Sequence, residues 1–202
     1  MEDNYKVLYL TNNENALGLY AWLKERCDTI LWEKPVMCKL LDEHKPDLIV
    51  SYNYKYIIKE DVITYMQGKI VNLHISYLPW NRGSSPNIWS FVDDTPKGVT
   101  IHQIARGLDT GAILYQKECN FVPEKETFAS TYQILSETII KLFQDNWEEI
   151  KAGDYKLYEQ SGKGSYHTSK DLEVLQEKCP FEWSDNIADF LKRYHASYGN
   201  SE

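Results

Sequence analysis

The sequence predicts an α/β fold: a mostly parallel, twisted sheet flanked by helices, with a short helical C-terminal extension. Two observations carry this. From Lys6 to Cys119, apolar runs of strand length alternate with stretches of helical period. Strand–helix–strand succession implies crossover connections, and these set strands parallel. After Pro123 the pattern changes to helical stripes. With 202 residues, 43% hydrophobic and 26% charged, the chain suits one globular domain with a sizeable core.

The elements follow in order. Lys6 to Thr11 is a short apolar strand, and Ala16 to Arg26 carries Leu17, Tyr20 and Leu23 at helical spacing. Thr29 to Trp32 is a second strand, and Lys39 to Lys45 a short helix before Pro46. Asp47 to Tyr52 reads as a buried strand between turn residues. Tyr52, Tyr54 and Tyr56 continue it with the alternation of a half-buried edge. Lys59 to Met66 is helical with Gly68 as its stop, and Lys69 to His74 is the next strand. Ser85 to Val92 is a helix after the Pro79 to Ser84 loop, and Gly98 to Ile104 with Ala112 to Cys119 forms a hairpin. Thr127 caps one long helix with Phe128, Tyr132, Leu135, Ile139, Leu142, Phe143 and Ile150 along a core-facing stripe, ended by Gly153. Gly162, Gly164 and Ser165 make a flexible link, and Ser184 to His195 is a last amphipathic helix.

Charge and composition exclude several classes. A formal net charge of −8 argues against a non-specific nucleic-acid partner, which requires clustered Lys and Arg. No run approaches the roughly 20 apolar residues that span a bilayer, and Met1-Glu2-Asp3-Asn4 lacks a secretory start. The expected location is cytoplasmic, without membrane attachment. Cys27, Cys38, Cys119 and Cys179 are scattered, with no Cys-x-x-Cys pair, so neither a disulfide framework nor a metal site is expected.

The chemistry concentrates at two places. Asn72-Leu73-His74 closes an apolar run, and Asp109 lies 35 positions beyond His74 in the glycine-flanked turn Gly107-Leu108-Asp109-Thr110-Gly111. An amide, an imidazole and a carboxylate hold an oxyanion, move a proton and orient the group that moves it, as acyl transfer to an amine requires. Both places fall at strand ends, where open α/β sheets form their ligand crevice. A lone histidine ending a strand is more often a structural hydrogen-bonding group, and it is the company of Asn72 and Asp109 that makes His74 a catalytic candidate. His102, on the next strand, is expected to support either the site or the core.

At these residues the chain resembles the folate-dependent formyltransferase family. Asn72-Leu73-His74-Ile75-Ser76-Tyr77-Leu78-Pro79 is similar to that family's Asn-x-His-x-Ser-x-Leu-Pro element. Gly98-Val99-Thr100-Ile101-His102 leading into Gly107–Gly111 is similar to its aspartate-bearing segment. The match runs in register from Val7 to Cys119, with an echo at Gly164-Ser165-Tyr166-His167. The resemblance implies a Rossmann-like catalytic domain over residues 1–155, with residues 156–202 packing on or near it. It implies 10-formyltetrahydrofolate as formyl donor and Asn72, His74 and Asp109 as catalytic residues. Tyr54, Tyr56, Ile57 and Ile58 would form one wall for the pterin, and Ala105, Gly107 and Leu108 the other. Asn12, Asn13, Ser76 and Arg82 would face the acceptor. His74, with a reference pKa of about 6.5, serves either as base toward the amine or as an imidazolium at the oxyanion, and the sequence leaves both open.

Within the family that the chain resembles, the branches differ in their acceptors. The loop Thr11-Asn12-Asn13-Glu14-Asn15 departs from the Gly/Ser-rich phosphate cradle of a glycinamide ribonucleotide enzyme. The initiator-tRNA branch carries a basic barrel, and the formylfolate hydrolase branch a regulatory domain, neither of which is seen here. Arg82 to Trp89 and Tyr166 to Asp171 resemble the short enzymes acting on nucleotide-linked amino sugars. The expected partner is therefore a small nucleotide-sugar amine, with a homodimer as the expected assembly. Glycinamide ribonucleotide formylation in purine synthesis, or a formylating tailoring domain related to peptide synthetases, is the alternative.

Overall fold

The computed structural model describes residues 5–198. Its first strand, β1 (Lys6–Leu10), is buried along nearly its whole length, as a strand with helices on both faces must be. Three further strands follow with crossover helices between them: β2 (Asp28–Trp32), β3 (Leu48–Tyr52) and β4 (Ile70–His74). β1 pairs in parallel with β2 and β3, and β3 in parallel with β4, so that Ser51 sits beside Asn72. The crossover helices are α1 (Leu17–Lys24), α2 (Cys38–His44) and α3 (Glu60–Met66). Next come the two-residue strand β5 (Arg82–Gly83), α4 (Pro86–Val92), β6 (Gly98–Gln103) and β7 (Ile113–Glu118). The six-stranded sheet has the order β2-β1-β3-β4-β6-β7. Ile104 N donates to Ile70 O while His102 faces Asn72, so β6 runs against β4 and the sheet is mostly parallel but mixed. β6 and β7 form the expected hairpin, bonded from Gln103 N to Ala112 O and from Cys119 N to Lys97 O.

The chain divides into two units. The first contains the residues up to His74, then Ile101–Tyr115 and Phe143–Glu159. Side chains alternate across its strands. Leu8, Leu10, Ile49 and Ile70 pack with Leu40, Leu41, Val62 and Met66 of α2 and α3. On neighbouring positions Tyr9 stacks on Tyr20 of α1, and Tyr5 and Trp22 meet Trp147 edge-on. α3 stops where Gln67 and then Gly68 turn left-handed, with φ of 51° and 85°.

The second unit contains Ile75–Thr100, Gln116–Leu142 and the described residues from Gln160 onward. Its core joins Ile88, Trp89 and Phe91 to Phe128, Leu175, Ile187 and Phe190. Three elements here are β8 (Tyr166–His167), α7 (Ser169–Lys178) and α8 (Ile187–Tyr198). β8 pairs in parallel with β5. Gly164 turns left-handed at φ +62°, where an added Cβ would lie 2.2 Å from Pro79 O, so this approach admits only glycine.

Two local expectations are corrected, and two further elements appear. The helix read as continuous from Thr127 to Gly153 breaks at Asn146 into α5 (Phe128–Asp145) and α6 (Trp147–Ala152). Asn146 leaves the helical region at φ −110°, ψ 13°, and Trp147 is then free to meet Tyr5 and Trp22. Thr127 does begin α5, accepting from Ser130 N at 3.0 Å. Tyr54 and Tyr56 lie beyond β3, not on it. Tyr54 Oη donates to Lys34 O at 2.5 Å and accepts from Val36 N at 3.1 Å, which fixes the chain out of strand register. The stretch from Tyr166 to Asp171 holds β8 and the start of α7, which helical periodicity did not suggest. Its signal was the capping box, in which Thr168 and Asp171 satisfy each other's backbone N–H groups. Among the described residues, no helix is long and apolar enough to cross a membrane.

Candidate active site

Asn72 and His74 stand two apart at the end of β4, so both point to one side of the sheet. His102 is near the end of β6, and Asp109 is at the turn of the hairpin. That turn depends on its sequence. Asp109 takes φ +51°, a region aspartate tolerates, and a Cβ at Gly111 would lie 1.8 Å from Gln103 O. Gly111 thus lets the chain return against β6 and holds the carboxylate over the strand ends.

Three groups converge on that carboxylate. His74 Nε2 is 3.9 Å from Asp109 Oδ2, an ion-pair distance once the ring is protonated. His102 Nε2 and Asn72 Nδ2 are each 3.4 Å from Oδ1. Asn72 Nδ2 is also 3.1 Å from His102 Nε2, and His102 Nδ1 is 2.8 Å from Gln103 O. A carbonyl only accepts, so Nδ1 carries a proton. In the neutral ring Nε2 is then the acceptor, and the Asn72 amide donates to it. The side chains of His74, His102 and Asp109 are 9%, 2% and 10% exposed. The set comprises a neutral amide donor, an imidazole able to take a proton and a carboxylate beside it, which is the equipment for general acid–base chemistry at a carbonyl.

The structure treats the other sequence candidates unequally. Tyr54 and Ile104 pack on one core cluster, and Arg106 reaches Glu60 at 3.9 Å. Ile57 is 83% and Leu108 48% exposed, two apolar side chains left facing water. Ile58 is buried in the core, and the Tyr54 hydroxyl is committed to the Lys34–Val36 backbone. Tyr56 meets Tyr54 edge-on, Ala105 is half-buried and Gly107 exposed at φ +106°. Asn12 bridges loops, donating to Glu33 O at 2.7 Å and accepting from Lys55 N at 3.1 Å. Asn13 caps the 3-10 turn Glu14–Ala16. In the second unit, Ser76 is buried with its hydroxyl on Trp80 O, and Arg82 lies half-buried against Gln160. His102, which the sequence allows in either site or core, touches both Asn72 and Asp109. Its reverse-running register opposite Asn72, not its sequence neighbours, brings it there.

Comparisons with known proteins identify relatives of the chain. Residues 23–144 match the family model described as formyl transferase. The chain is similar to the formyltransferase PseJ from Anoxybacillus kamchatkensis, solved with UDP-4,6-dideoxy-4-formamido-L-AltNAc and tetrahydrofolate. Identity is 38% and TM-score 0.82, over 92% of this chain and 97% of that one. It is 28% identical over 203 residues to dTDP-4-amino-4,6-dideoxyglucose formyltransferase of Mycobacterium tuberculosis, covering 94% of this chain and 85% of the relative. A sugar N-formyltransferase from Shewanella shares the fold, with TM-score 0.73 at 21% identity over 94% of this chain and 87% of that one. With more than half of its length, residues 23–144, matching that model, the chain belongs to the formyl transferase family.

Proposed function

We propose that this protein transfers the formyl group of 10-formyltetrahydrofolate to the primary amine of a nucleotide-linked amino deoxysugar. The observation that carries the reading is the convergence of Asn72, His74 and His102 on Asp109, in a chain 38% identical to an enzyme solved with a UDP-linked formamido sugar and tetrahydrofolate. Apolar Ile57 and Leu108, both exposed, suit the face of a bicyclic pterin.

The chemistry follows from the charges. As the amine attacks the formyl carbon, negative charge grows on the formyl oxygen and positive charge on the attacking nitrogen. Asn72 offers an N–H to the oxygen. Both of its amide protons have acceptors here, His102 Nε2 and Asp109 Oδ1, so one must turn to the substrate. A proton on His102 Nε2 would release it. His74 takes the proton of the amine, and the resulting imidazolium is the form that the carboxylate 3.9 Å away favours. The proton then passes to the departing folate nitrogen as its bond to the formyl carbon breaks, and a formamide remains.

The test is incubation with 10-formyltetrahydrofolate and a panel of UDP- and dTDP-linked 3-amino and 4-amino deoxysugars, with glycinamide ribonucleotide in competition. Release of tetrahydrofolate and a formamido sugar is expected. No turnover, together with no folate binding by calorimetry, would overturn the reading; preferential formylation of the ribonucleotide would overturn the acceptor alone.

A further inference from the structure

The chain has four arginines, Arg26, Arg82, Arg106 and Arg193. Three of them face carboxylates: Arg26 meets Glu25 at 3.2 Å, Arg106 meets Glu60 at 3.9 Å and Arg193 meets Asp185 at 2.6 Å. Arg82 differs. Its Nε and Nη2 lie 3.0 and 2.7 Å from the Oε1 of Gln160, a neutral amide. Among the described residues, no carboxylate is within ion-pair distance of it. In a chain with 30 acidic against 22 basic residues, a half-buried guanidinium without a carboxylate is the exception.

Its setting is rigid. Arg82 N donates to Ser165 O at 3.0 Å and Ser84 N to His167 O at 2.9 Å. Between them, an added Cβ at Gly83 would lie 2.2 Å from His167 O. The backbone of Arg82 is locked on the β5–β8 pair, and Gln160 locks the side chain. The two bonds to one oxygen use two of the five N–H donors of a guanidinium and none of its charge.

We infer that Arg82 and Gln160 form an anion subsite in the second unit, in which Gln160 is a positioning residue that orients the guanidinium without neutralising it, and that the ligand is a diphosphate. The identity of the anion rests on the proposed transfer to a nucleotide-linked amine. A guanidinium fork binds phosphate oxygens through paired N–H···O bonds, and binding is strongest when no internal carboxylate must first be displaced. Glutamine at 160 meets that condition, whereas glutamate would occupy the site from within.

Calorimetry on wild type, Gln160→Glu and Gln160→Met with UDP, dTDP and inorganic pyrophosphate tests this, with tetrahydrofolate binding and a thermal melt as controls. Gln160→Glu should weaken diphosphate binding about tenfold or more, because an internal carboxylate then competes for charge-assisted bonds. Folate affinity should stay within about twofold, and the acceptor KM should rise while kcat is retained. Gln160→Met, which removes the brace without adding charge, should weaken diphosphates about threefold, and it decides the matter if the glutamate variant fails to fold. Wild-type affinity in both variants, or no binding of any of the three anions to wild type, overturns the subsite. Pyrophosphate binding that Gln160→Glu weakens, with no preference for either nucleotide, keeps the subsite and removes the nucleotide-linked acceptor instead.

Discussion

In the first unit the buried carboxylate of Asp109 has Asn72, His74 and His102 around it, whereas in the second the guanidinium of Arg82 has the amide of Gln160. The first cluster holds a carboxyl group beside two imidazoles, which can gain or lose a proton, and one amide, which cannot. The second holds a fixed cation against a group that does neither. A proton-transfer centre needs partners whose charge changes during the reaction; an anion receptor needs a charge left uncompensated until its ligand arrives. Under the proposed transfer, substitutions in the first cluster should change turnover and those at Gln160 acceptor affinity, and the two effects should separate.

The largest effects belong to the first cluster. His74→Asn and Asp109→Asn should each lower kcat by a factor of about a hundred to a thousand or more, with the melting temperature nearly unchanged. Steady-state kinetics beside a thermal melt checks this. Wild-type rates would remove the assigned roles, and joint loss of rate and folding would make the histidine structural.

Next in size is a change of stability rather than chemistry. Gly164→Ala forces a Cβ toward Pro79 O at a positive φ and should cost about 2 kcal/mol in chemical denaturation. Unchanged stability would show that the approach of Gly164 to Pro79 is not the constraint claimed.

A smaller effect is expected at the apolar walls. Leu108→Ser removes an exposed apolar surface without touching the polar cluster. It should raise the KM for the formyl donor several-fold at nearly constant kcat, as loss of uniform binding does. An unchanged donor KM would remove Leu108 from the folate contacts.

The smallest prediction is a pH dependence. Hydrogen bonds from the Thr168 backbone and hydroxyl hold the Asp171 carboxyl below its usual range. A carboxyl with a lowered folded pKa contributes stability above its unfolded pKa and loses it as pH falls through the folded value. The difference in melting temperature between wild type and Asp171→Asn should therefore be present at pH 7 and shrink below about pH 4. A difference independent of pH would mean that the carboxylate charge plays no part in the cap.

What the sequence determined by itself was whatever its short-range patterns control. The strand at Asp47–Tyr52, the stop after Met66 and the hairpin around Asp109 follow from apolar period and turn residues, which act over a few positions. The adjacency of Asn72 and His74 on one strand face is equally local. Tertiary structure alone decided the rest. Asn146 breaks a stripe that periodicity would continue, since Trp147 gains partners in Tyr5 and Trp22. His102 joins the carboxylate because β6 runs against β4, and Arg82 meets an amide 78 residues away, where no local signal reaches. Such pairings depend on how the chain is threaded, and a residue's partner, not its type, decides whether its charge is spent or held for a ligand.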